Sequence, residues 1–154
     1  MSYCIIWETS SGIAVTIPFG NPSIEEISNQ KDKLIAEGYA ATFLGITTTG
    51  QLPTDRYFRP AWRWNGSSIT LDLAACKQRH LDKLRRIRNT KLQESDADYM
   101  RALEQEDQVK LTTLKVYRQA LRDMPQTSTT EFQAAATPEA VRSIQPTILN
   151  TAKP

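Results

Sequence analysis

The chain has 154 residues, enough for one domain or a small domain with an appendage, and 40% of them are apolar, enough for a core of moderate size. Nineteen basic against seventeen acidic side chains leave a net charge of +2, which offers no bulk electrostatic case for a nucleic-acid or membrane partner. The two cysteines make no disulfide framework, the first residues lack a signal-peptide pattern, and no run approaches the ~20 apolar residues of a membrane span, so a soluble, non-secreted protein is expected.

Tyr3 to Glu8 is rich in β-branched and aromatic residues, and Ile13 to Ile17 alternates apolar with small side chains. With the turn composition of Thr9 to Gly12 between them, the two segments predict a β-hairpin. Ser23 precedes Glu26 by three residues, the spacing at which hydroxyl and carboxylate each satisfy a backbone donor at a helix start. The helix that follows carries Ile24, Ile27, Leu34 and Ile35 near one face and is expected to end at Gly38. Ala40 to Thr47 predicts a third strand.

After a polar loop comes an aromatic and arginine-rich knot from Asp55 to Trp64, then Asn65-Gly66 between two short strand-like segments. That pair predicts a tight hairpin, since both turn positions tolerate positive φ. Asp72 is placed to cap a helix whose apolar stripe runs through Leu73, Cys76, His80, Leu84 and Ile87. Unbroken through Leu103, this helix would hold about 30 residues and reach roughly 45 Å, with Asn89-Thr90 or Ser95-Asp96 as the natural places for a break. Leu114, Tyr117, Leu121 and Met124 mark a second amphipathic helix expected to stop at Pro125. Beyond it, Thr, Ser, Gln, Ala and Pro dominate, which predicts a flexible arm with one short helix capped by Thr137-Pro138-Glu139. The expected organisation is α+β: a β-rich head with one helix over 1–71 ending in a β-hairpin, an antiparallel helical hairpin over 72–124, and an arm over 125–154.

Chemistry is sparsely signalled. His80 is the single histidine and has no nucleophile motif around it, so packing is the preferred role over catalysis. Cys76 and His80 share a helical face, but a metal site would need further ligands, and the scattered glycines form no phosphate loop. No cofactor, metal or catalytic residue is expected. Lys77 to Lys91 is strongly basic, with Arg79, Lys83 and Arg86 on one face, and the next segment is acidic. A solvated or partner-facing helix is preferred over phosphate binding, and its polarity also allows pairing with a second copy. In the knot, Phe58, Trp62 and Trp64 suit packing at a junction, which is the preferred reading. Tyr57, Arg59, Trp62 and Arg63 are also the residue types that dominate protein interfaces.

The run P-T-D-R-Y-F-R-P-A-W-R-W-N-G from Pro53 to Gly66, followed by Ala75, Lys77, His80, Asp82, Leu84 and Arg85 and later by R-Q-A-L-R-D from Arg118 to Asp123, resembles a family of tailed-bacteriophage tail assembly chaperone or tail fibre-associated proteins. The Ala136 to Ala140 segment resembles the end of that family. The resemblance implies a non-enzymatic role in the host cytoplasm, binding other tail, fibre or baseplate proteins. It leaves open whether the chain departs or stays in the virion tail. The expected partner-binding residues are Tyr57, Arg59, Trp62, Arg63, Arg79, Lys83 and Arg86. A nucleic-acid-binding regulator using Arg79, Lys83 and Arg86 is the less supported alternative.

Overall fold

A computed structural model describes residues 2–154 and shows an α+β protein of two compact units, Met1–Cys76 and Lys77–Pro154. In the first unit, β1 (Tyr3–Thr9) is the central strand of a sheet, pairing antiparallel with β2 (Gly12–Thr16) on one side and β3 (Thr42–Thr48) on the other. Its residues Cys4 to Trp7 are all fully buried, because both faces of the strand are covered. Cys4 and Ile6 pack with Leu52, Trp62 and Ile69, whereas Ile5 and Trp7 pack with Ile27 of α1 (Ile24–Ala36). A strand covered on both faces needs a continuous apolar run instead of an alternating one, and I-I-W is such a run.

The predicted helix start is present in α1. Ser23 Oγ accepts from the Glu26 amide at 3.2 Å, and Glu26 Oε2 accepts from the Ser23 amide at 2.7 Å. The latter bond holds the Glu26 carboxyl below its ordinary pKa.

The register slips between Ile6 and Trp7, where Gly45 and then Phe43 are the β3 partners and Leu44 is the extra residue. At Gly45 the Trp64 indole lies so close that an added Cβ would sit 2.6 Å from its Cζ2. Gly45→Ala is therefore expected to cost about 1–3 kcal/mol through overpacking. A shift in the urea midpoint with an unchanged slope is the result that checks it.

β4 (Trp62–Trp64) and β5 (Ile69–Leu71) form the second, two-stranded sheet. The turn between them differs from the expected one: Gly66 has φ 100°, but Asn65 does not take positive φ. Asn65 acts through its side chain, whose Oδ1 accepts from the amides of Ser67 at 3.0 Å and Ser68 at 2.9 Å. The local side-chain acceptor replaces the second left-handed residue. Asp72 caps the next helix as expected, its Oδ1 accepting from the Ala75 amide at 3.1 Å.

The second unit is helical. α2 (Leu73–Glu94), which opens at the end of the first unit, is followed by α3 (Asp96–Glu104) and α4 (Gln108–Thr127). The break falls at Ser95, whose buried hydroxyl donates to the Leu92 carbonyl at 2.7 Å. A short turn leads from α3 to α4. Within it Glu106 takes φ 54°, and Asp107 Oδ1 accepts from the Lys110 amide at 2.9 Å. Ala102, Leu111 and Leu114 form the core of this hairpin, with Tyr99 packed against it.

Two expectations about the C-terminal third require correction. α4 does not stop at Pro125 but runs to Thr127. Proline removes only one hydrogen bond this late in a helix, and Ser128 and Thr127 hydroxyls cover the Met124 carbonyl at 2.8 and 3.1 Å. The segment read as an arm with one short helix contains α5 (Thr129–Ala134), α6 (Pro138–Ser143) and α7 (Thr147–Asn150). Phe132, Ala135, Val141, Ile144 and Leu149 are buried there, and α7 packs against α4. The cap on α6 is the predicted one, with Thr137 Oγ1 accepting from the Ala140 amide at 3.1 Å.

Candidate partner-binding surface

Of the sequence-predicted site residues, Tyr57, Arg59, Trp62 and Arg63 belong to the first unit. Trp62 has no exposed surface, so the reading of it as a partner contact is corrected: it belongs to the core cluster around Cys4 and Ile6. Two guanidinium groups lie over its ring, Arg56 at 5.1 Å and Arg59 at 5.8 Å from the centroid. These contacts draw on the negative ring face and keep both arginines extended across the indole. Tyr57 is half-buried, edge-on to Phe58 at 4.6 Å, and its amide donates to Asp55 Oδ1 at 2.8 Å. Arg63 is exposed but engaged with its own chain. Its Nη1 donates to the Trp62 carbonyl at 2.9 Å and its Nη2 lies 3.5 Å from Asp72. Most of the knot is thus committed to holding the β4–β5 hairpin on the sheet.

Arg79, Lys83 and Arg86 belong to the second unit. All three are exposed on α2, on the side away from buried His80 and Leu84. The i, i+4, i+7 spacing brings them onto one face. His80 is a packing residue. It is 2% exposed, its Nε2 is 2.9 Å from the Ile144 carbonyl, and its ring lies 5.9 Å from Phe132. No cluster of three or more His, Cys, Asp or Glu that could hold a metal occurs among the described residues. Cys4 and Cys76 are both buried, and burial pushes the Cys4 thiol above its ordinary pKa.

The α3–α4 hairpin presents a surface that the sequence reading did not single out. On α4, Val109 and Val116 are 79% and 68% exposed, seven residues apart and so on one helical face. On a separate face of α4, Lys115, Arg118 and Arg122 recur at i, i+3 and i+7, and with Tyr99 and Gln119 they line a cleft of about 270 Å³. Arg118 is held in place. Its Nη1 donates to Ser95 Oγ at 2.7 Å and to Asp96 Oδ1 at 2.6 Å, and its guanidinium lies 5.3 Å from the Tyr99 centroid. Lys115 and Arg122 make no ion pair with a described residue, so their charges are uncompensated at contact distance. The spacing of these three cations is the signal that could have revealed the cleft. The partner ring from α3 could not be read from it.

Residues 81–140 match the model of a family described as phage tail assembly chaperone protein. The match begins within α2 and ends in α6, so it lies in the second unit and takes in the whole α3–α4 hairpin with its cationic cleft. The aromatic knot of the first unit lies outside the tail assembly chaperone match, although part of the sequence resemblance rests on it. Comparison with curated proteins and with solved structures gives no match. Among the described residues no helix is long and apolar enough to cross a membrane.

Proposed function

We propose that this chain is a non-enzymatic binding protein of phage tail assembly, engaging another tail, fibre or baseplate protein in the host cytoplasm. The observation that carries this reading is the tail assembly chaperone match over 81–140, the segment in which α4 exposes the unpaired cations of the cleft. Charge of this kind supplies orientation and specificity in protein recognition. The chemistry is binding and release, with the second unit as the docking body. Arg79, Lys83 and Arg86 on α2 extend the same basic character, and Tyr57, Arg59 and Arg63 offer a secondary contact on the first unit.

Quantifying the chain by mass spectrometry in infected-cell lysates and in purified particles, against the major tail protein, tests the reading. The expected result is abundance during assembly and absence from finished particles. A fixed stoichiometric presence in particles would replace the departing role with that of a permanent tail component. Salt-sensitive retention on DNA or RNA that is lost on charge reversal of Arg79, Lys83 and Arg86 would overturn it in favour of nucleic-acid binding.

A further inference from the structure

The cleft of Tyr99, Lys115, Arg118, Gln119 and Arg122 has three properties of a built recognition site. It is concave, no carboxylate lines it, and its central cation is already oriented by the chain itself. Arg118 is only 16% exposed at its side chain, with Ser95, Asp96 and the Tyr99 ring holding it, so little of its freedom remains to be lost on binding. Asp96 compensates Arg118, and the charge available to a ligand is therefore that of Lys115 and Arg122. They stand at either end of the cleft, separated by two turns of helix or about 10 Å along the axis. We infer that this cleft binds an acidic peptide segment of the tail protein partner, with Lys115 and Arg122 each taking a carboxylate and Arg118 fixing the peptide between them. This inference rests on the proposed role in tail assembly and names the chemistry of the partner.

A peptide fits better than a nucleic acid. Phosphate backbones carry charge at every step and are matched by long basic tracks, whereas this cleft offers two separated cations. The nearby turn, with exposed Glu104, Glu106 and Asp107, would repel a polyanion that continued past the cleft. An acidic peptide with discrete carboxylates avoids that repulsion.

The test uses fluorescence anisotropy with a labelled peptide alternating Glu and Ala, its Gln counterpart, and a single-stranded DNA oligonucleotide of equal charge. The full-length protein is expected to bind the Glu peptide at low salt and not the Gln peptide. Lys115→Glu with Arg122→Glu should weaken binding about tenfold or more. Both side chains are exposed and make no ion pair, so the variant should keep its melting transition; Lys115→Gln with Arg122→Gln is the milder pair if it does not. No binding of the Glu peptide at low salt, unchanged binding in a folded variant, or tighter binding of the oligonucleotide would each overturn the site. In infected cells, deletion of the gene should abolish tails, and the charge-reversed variant should fail to restore them. Restoration by that variant overturns this cleft alone, whereas normal tails after deletion overturn the assembly role itself.

Discussion

Trp62→Ala is expected to unfold the first unit, with a loss of about 3–5 kcal/mol, as for other large aromatic truncations in a core. The indole is fully buried between β1, Leu52 and Ile69 and carries Arg56 and Arg59 on its faces, so removing it opens a cavity and frees two side chains. Urea titration followed by the fluorescence of Trp7 and Trp64 measures the loss. Any fall in tail assembly with this variant then reports folding of the unit instead of a lost contact. Trp62→Phe separates the two, since it keeps a ring in the core and removes an indole N–H that has no hydrogen-bond partner. An unpaired buried donor costs about 1–3 kcal/mol, which offsets much of the lost volume, so Trp62→Phe should stay folded. A stable, cooperatively melting Trp62→Ala protein would show that this core assignment is wrong.

Removal of residues 129–154 is expected to destroy the cooperative melt of the second unit. Phe132, Val141, Ile144 and Leu149 are each buried, and about 1.5–3 kcal/mol per side chain already exceeds the ~5 kcal/mol at the low end of domain stability. The truncation also takes the Ile144 carbonyl from buried His80 and uncovers the α4 face on which α7 packs. Removing only 152–154 should cost about 0–1 kcal/mol. It takes away the Lys153 ammonium, which donates to the Glu94 carbonyl at 3.1 Å and pairs with Asp98 near the surface. Circular dichroism melts of the two truncations check the contrast. A full-strength transition after removal of 129–154 would restore the segment to the role of a dispensable arm.

The difference between these two predictions and the sequence-level reading has a physical origin. The periodicity of Leu114, Tyr117, Leu121 and Met124 reveals α4 because many apolar residues recur on one helix. The C-terminal segment distributes a comparable burial over three short helices, with Phe132, Val141 and Leu149 on separate elements and small or polar residues between them. No window of that segment contains a stripe, and its average composition resembles that of a disordered tract. Only the faces supplied by α4 and by His80 and its neighbours on α2 make its few large residues count.

The sequence by itself determined the α+β class, the capped starts of α1, α2 and α6, and the strand β1, and it narrowed the break after α2 to Asn89-Thr90 or Ser95-Asp96, because each depends on residues close together along the chain. Only the tertiary structure decided that Trp62 is inaccessible, that the C-terminal helices complete a core, and that Tyr99 and the Ser95–Asp96 corner meet Arg118 to shape a cationic cleft. Those outcomes depend on which surface lies opposite a side chain. Solvation, ion pairing and cavity shape are properties of that pairing, and they are written into no local run of residues.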